Sequence, residues 1–149
     1  MRGRAGLAND AWEALLGAHA TRIKEFAAED IWGEVSMREY DVLYTLSKER
    51  HPIPFGELHR QVLLSQPAMS RLVDRLVNRG LMSREVDPSD ARRLLLTLTD
   101  TGRQIQRGVG RRHARSVAAA MTSRLDDDEM VELQRLCSKL TRTDAGRRS

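Results

Sequence analysis

The residues with the most chemistry to offer in this chain are arginines carried on short, sharply delimited elements. Ser65 to Gly80 reads as one capped, amphipathic helix with Ser70, Arg71 and Arg75 off its apolar stripe. Two short strand-like runs follow at once, and the segment between them bears Asp90, Arg92 and Arg93. A guanidinium presents a planar fork that matches a guanine edge or a phosphate. A helix fits the DNA major groove with the residues of its first turns toward base edges, here Gln66, Pro67, Ser70 and Arg71. Arg71 is the first candidate for reading a base, while Ser65 and Arg75 are better placed for phosphate. Arg92 and Arg93 suit the backbone or minor groove beside it.

Other chemistries find little support. There is no glycine-rich phosphate loop, no elbow serine and no triad-like set, so an enzyme is the least favoured class. His19, His51, His59 and His113 are scattered, with no helical pair and no cysteine cluster, so neither a metal nor a cofactor is implied. Cys137 allows a redox-sensor reading, but its place between Leu136 and Leu140 suits a small buried hydrophobe. Arg103, Arg107, Arg111 and Arg115 recur every four residues. They form either an anion-binding face or a solvated stripe pairing with acids such as Asp127 and Asp128.

The chain has 149 residues, one domain's worth, with 40% hydrophobic and 31% charged residues, a balance of globular rather than disordered proteins. No run approaches the roughly 20 apolar residues of a membrane span, and no signal-type stretch opens the sequence. Cytoplasmic residence is the expectation, and the single cysteine fits a reducing compartment. The net charge of +4 favours a polyanionic partner. Of 25 basic residues only Lys24, Lys48 and Lys139 are lysine, a bias that a G·C-rich genome also produces.

Hydrophobic spacing places the elements that must position these groups. Residues 1–6 read as a frayed tail, and a first helix spans about Leu7 to Asp30 with Trp12, Leu15, Leu16, His19, Ile23 and Phe26 recurring. Ser36 and Glu39 form a capping box, with Val35 and Tyr40 at the staple positions. The second helix then runs to about Glu49, burying Tyr40, Leu43, Tyr44 and Leu46. Pro54 opens a short third helix to about Val62, with Phe55, Leu58 and Val62 inward. Ser65 caps the fourth, whose buried stripe is Leu72, Val73, Leu76 and Val77, and Gly80 stops it. Leu81–Val86 and Leu94–Leu98 read as strands joined by residues 87–90. Thr99 caps a long helix to about Ser123, Asp126 with Glu129 caps the last one to about Thr141, and a loose tail runs from Arg142.

Two short helices with the second capped and basic make a helix-turn-helix, and the hairpin after it adds a wing. Asp90-x-Arg92 followed by Leu98-Thr99-x-x-Gly102 resembles the MarR family of bacterial transcription regulators. Leu64-Ser65, Ser70 through Leu76 and Arg79-Gly80-Leu81 resemble that family's recognition helix. The resemblance implies a mainly α fold of six helices with a small β-hairpin wing, assembled as an intertwined homodimer. Residues of about 35–102 would form the winged helix-turn-helix part, and about 1–34 with 103–149 the dimerisation helices. It further implies that Arg92 enters the minor groove, that Asp90 orients it with Arg84 pairing to Asp90, and that Gly102 permits close packing. Ala91 departs from the family's frequent arginine and removes one charge from the wing.

By the same resemblance, the partners are a double-stranded, pseudo-palindromic operator and a small aromatic or phenolic acid as effector, with no membrane. His19, Arg22, Trp32, Tyr40, Tyr44 and Arg111 are the candidate effector contacts, although His19, Tyr40 and Tyr44 also lie on core stripes. The expected function is effector-responsive repression. Redox regulation through Cys137 and an effector-independent architectural role are the alternatives.

Overall fold

The computed structural model describes residues 3–142, so the expected looseness of residues 1–2 and 143–149 lies outside the described residues. Helix α1 (Arg4–Ala28) begins earlier than its apolar spacing suggests, capped by Gly3. Residues 4–6 are therefore helical rather than frayed, in line with the good helix formers Arg4 and Ala5. Helix α2 (Met37–Ser47) starts on the expected capping box: Ser36 Oγ accepts from Glu39 N, and Glu39 Oε2 accepts from Ser36 N. Strand β1 (Ile53–Pro54) leads directly into α3 (Phe55–Arg60), α4 (Gln66–Asn78), β2 (Met82–Asp87), β3 (Asp90–Leu98), α5 (Asp100–Thr122) and α6 (Asp127–Thr141).

The three strands form one antiparallel sheet in the order β1-β3-β2. Pairing of Ile53 with Leu96 and Pro54 with Leu95 adds a strand where only a helix break was expected. Proline is tolerated there because β1 is an edge. The fully buried side chains Leu43, Leu58, Met69, Leu76, Met82 and Leu96 come from α2, α3, α4 and the hairpin. On α2 the sequence reading is corrected: Tyr44 is 44% exposed and Val42 is buried in its stead. On α4 the buried stripe is Met69, Leu72, Val73 and Leu76, one turn earlier than expected, with Val77 half-buried.

The chain divides into two compact units, one ending at His113 and one beginning at Ala114. In the first, Phe26 is the buried residue of α1, while Leu7, Trp12, Leu16 and Ile23 stay between 38% and 67% exposed. In the second, Asp126 and Glu129 form the expected capping box of α6, and the Leu125 amide donates to Met121 O at 2.9 Å. Val131, Leu133, Leu136 and Leu140 of α6 are exposed in the single chain.

Gly80, in the left-handed region at φ 72°, ends α4 and turns the chain into the hairpin. Gly102 is required for a different reason, since a Cβ there would lie 1.9 Å from the Leu81 carbonyl oxygen. That obstacle is backbone and cannot swing aside. Gly102→Ala should therefore cost about 3 kcal/mol of stability or more, at the top of the overpacking range, read from urea unfolding. An unchanged midpoint would refute the close approach.

Candidate nucleic-acid interface

Helix α4 owes its presentation to two local devices. Ser65 Oγ accepts from Ala68 N at 3.3 Å, and His59 Nε2 lies 2.7 Å from Leu64 O, pinning the connection from α3. With one side of α4 buried, Gln66, Pro67, Ser70, Arg71 and Arg75 are left exposed on the other. Arg71 forms no ion pair with another described residue. Arg75 and Arg79 differ: Glu39 Oε1 lies 3.5 Å from Arg75 Nε, and Glu39 Oε2 accepts from Arg79 Nη1 at 3.2 Å. Arg79 Nη2 also donates to Glu34 O.

The wing is tighter than the sequence spacing suggests. Only Pro88 and Ser89 separate the strands, and β3 begins at Asp90 rather than Leu94. Register runs Val86 opposite Leu94 and then jumps to Asp87 opposite Asp90, so Ala91, Arg92 and Arg93 bulge out of the ladder. Asp90 Oδ1 accepts from the Arg92 backbone N at 3.1 Å and from its Nε at 3.2 Å. The Arg92 side chain is 91% exposed, so the carboxylate fixes its root while its tip projects into solvent. Arg93 Nε lies 3.9 Å from Asp87 Oδ2.

Arg84 departs from expectation. Its guanidinium pairs with Asp74 on α4, not with Asp90. The physical reason is register: Arg84 sits opposite Leu96, well down the hairpin, while the Asp90 carboxylate turns back onto its own strand. Arg84 thus ties the wing to α4. Between α3 and the wing lies a groove of about 360 Å³ lined by Phe55, Glu57, Arg60, Arg92 and Arg93 among others. Arg60 was not singled out from sequence, because only the β1–β3 pairing brings α3 beside the wing.

A second concavity, about 600 Å³, lies between α1, α2 and the loop after α3. His19 and Lys24 line it from α1, and Arg38, Asp41, Tyr44 and Lys48 from α2. Lys48 Nζ sits 4.2 Å from the Tyr44 ring centroid. Of the six candidate effector contacts, the structure brings His19 and Tyr44 to this cleft and leaves four elsewhere. Trp32 and Tyr40 are core residues, 7% and 5% exposed, packed at 5.0 and 5.6 Å against the His113 ring. Trp32 Nε1 is spent on Phe26 O at 2.9 Å. Burial raises the Tyr40 phenol above its ordinary range against the opposing effect of a Gln106 hydrogen bond. Arg22 is turned about 100° from Ile23 and makes a two-pronged contact with Glu25 at 2.8 and 2.9 Å. Arg111 is exposed, about 200° round α5 from His113.

His113, read as one of four scattered histidines, is the hub of that aromatic cluster, with Phe26 also at 5.3 Å. Cys137 is half-buried on α6. Among the described residues, no group of histidine, cysteine and carboxylate side chains could hold a metal, and no helix is long and apolar enough to cross a membrane.

The wing turn carries its own titration signature. Hydrogen bonds from the Ser89 hydroxyl at 2.7 Å and its backbone N–H at 2.9 Å hold the Asp87 carboxyl below the usual aspartate range, with Arg93 adding to the effect. A depressed folded-state pKa means the turn gains stability above the ordinary pKa and loses it as pH falls through the lowered value. An NMR titration should place the Asp87 midpoint below about 3.9, and Ser89→Ala should return it toward that value. No movement in the variant would show that Ser89 is not the cause.

Comparison with known proteins agrees with this geometry. Residues 35–94 match the MarR family model. The multiple antibiotic resistance protein MarR of Salmonella typhimurium is 30% identical over 84 residues, which span 56% of this chain and 58% of that protein. The PcaV transcriptional regulator of Streptomyces coelicolor, solved with its natural ligand, is 28% identical, with a TM-score of 0.68 over 97% of each chain. A MarR family transcriptional regulator of Streptomyces coelicolor solved with DNA shares the fold, at 21% identity and a TM-score of 0.78, covering 100% of this chain and 93% of its own. Among the described residues, six helices and a three-stranded antiparallel sheet with a hairpin wing frame a segment, residues 35–94, that is similar to the MarR family of transcriptional regulators.

Proposed function

We propose that this chain works as a homodimeric repressor that reads a pseudo-palindromic operator and is released by a small aromatic or phenolic acid. The observation that carries the reading is the pairing of two exposed arginines on neighbouring elements. Arg71 stands unpaired on the outer face of α4, and Arg92 is rooted by Asp90 on the bulged wing. Gln66, Pro67 and Ser70 would share the major groove with Arg71, while Ser65, Arg75 and Arg93 would meet the backbone. The two recognition helices of a dimer would enter successive major grooves roughly 34 Å apart.

Residues of about 35–102 would serve DNA binding and the flanking helices dimerisation. The exposed Leu7, Trp12, Leu16, Leu136 and Leu140 support this, since each such side chain gains about 1.5–3 kcal/mol when fully buried. The cleft beside Tyr44 supports the effector: Lys24, Arg38 and Lys48 surround it against one carboxylate, Asp41, and the exposed Tyr44 ring offers a stacking face. Burial raises the Asp41 carboxyl above its ordinary range, opposed in part by the nearby His113.

Two outcomes test the reading. Removing residues 125–149 should leave a monomer, or an unfolded chain, that no longer binds DNA; a truncated, folded chain binding tightly would count against the dimer. Arg71→Ala should cost about 1–3 kcal/mol per half-site and flatten discrimination at one operator position. Arg92→Ala should instead weaken most sites, A·T-rich flanks most of all, and reduce the salt slope. Titration of a randomised DNA library at two salt concentrations separates them. Equal, sequence-independent losses from both would favour the architectural role.

A further inference from the structure

Glu39 makes more contacts than its capping role requires. Its side chain is buried, Oε2 serves both the Ser36 amide at 3.0 Å and Arg79 Nη1 at 3.2 Å, and Oε1 faces Arg75 Nε at 3.5 Å. Arg79 is consumed within the fold, because its Nη2 donates to Glu34 O. Arg75 is not: its side chain is 56% exposed, and the contact with Glu39 engages Nε alone. Both Nη groups remain uncommitted. A guanidinium anchored through Nε keeps its outer edge for a bidentate contact and loses less freedom on making it.

The position of Glu39 on α2 gives this contact a second consequence. Arg38, Asp41, Tyr44 and Lys48 of the same helix line the cleft, whereas Glu39 reaches α4 from another face. Glu39 thus joins the helix that walls the cleft to Arg75 of α4.

We propose that Glu39 is a positioning residue for DNA binding, anchoring Arg75 Nε so that its two Nη groups meet a backbone phosphate, and coupling the stance of α4 to the wall of the cleft. The proposal rests on the DNA-binding reading above. Its sign is opposite to that of simple electrostatics. Removing an acid from a protein that binds a polyanion should tighten binding when charge alone counts. Removing a positioning residue should weaken it.

The test uses the full chain and a DNA site selected by the wild type from the randomised library. Glu39→Gln keeps an acceptor for the Ser36 amide but loses the ion pairs. It should bind about fivefold more weakly, the loss expected from one half-exposed ion pair in each of two half-sites. In an Arg75→Ala background the same change should add nothing, because the two residues act as a unit. Ser36→Ala, which loosens the helix start but leaves the Arg75 anchor, should bind as wild type does even where its melting point falls further. Should Glu39→Gln fail to fold, Glu39→Asp enters the same comparison, since it keeps the charge but is too short to span both partners.

Binding by Glu39→Gln equal to or tighter than wild type overturns the proposal, as do independent losses from Glu39 and Arg75, or a Ser36→Ala loss that matches that of Glu39→Gln. A wild-type chain that selects no DNA overturns the DNA-binding reading and this proposal with it. The other outcomes bear on Glu39 alone.

Discussion

The close approach of α5 to the end of α4 is the constraint on which the exposed face of α4 and the wing depend. Leu81 N donates to Leu76 O at 2.9 Å, and Leu81 O accepts from Thr99 N at 3.3 Å. Thr99 Oγ1 donates to Gly80 O at 2.6 Å and accepts from Gly102 N at 3.0 Å, where no side chain would fit. Four segments meet there: the last turn of α4, both ends of the hairpin and the first turn of α5. Because both strands of the wing are fastened at this knot, the displacement of Arg92 from Arg71 is set by short hydrogen bonds at its base. Arg84 with Asp74 adds a second tie higher up. A wing held at two levels can present an exposed arginine in one place without burying any of it.

Features legible in the sequence were those whose causes are local. The caps at Ser36, Ser65 and Asp126 and the stop at Gly80 each depend on residues three or four positions apart, so their signals survive in one dimension. The wing motif was legible for the same reason, since Asp90 and Arg92 are neighbours. Strand β1 was not, because two residues carry no periodicity and their partner lies more than forty positions away. Nor could spacing decide between Val42 and Tyr44 on α2. Both fit a helical stripe, yet Val42 is fully buried at the floor of the cleft while Tyr44 is left exposed beside it.

The arginine-rich composition takes on different meanings once partners are known. Arg79 and Arg84 are bound to carboxylates of the fold, and Arg22 to its own helix. Arg71, the outer edge of Arg75 and the tip of Arg92 are among the groups left uncommitted. A net charge of +4 thus understates how the surface is organised, because some arginines are paired with acids of the fold and others are not. A codon bias would raise the arginine count, yet it would not account for Asp90 gripping the root of Arg92 while leaving its tip exposed. Exposed pairs of this kind contribute little stability, about 0–1 kcal/mol, so their value lies in orientation.

The same helix that walls the cleft holds α4 through Glu39, and this would set a limit on the regulation proposed above. A ligand can shift the DNA-competent arrangement only by the difference in its affinity for the two states. The aromatic cluster of Phe26, Trp32, Tyr40 and His113 is packed from α1, the following loop, α2 and α5, so it resists gradual deformation. Tyr44, stacked on Tyr40 at 5.9 Å and open to the cleft, is the point where a bound ring would meet that rigid cluster. Pressure there is better answered by a movement of α2 as a body than by rearrangement within it. Because Glu39 sits on that body with Arg75 Nε 3.5 Å from its carboxylate, a shift of α2 would, on the reading proposed above, move the Arg75 guanidinium away from the phosphate it is proposed to meet.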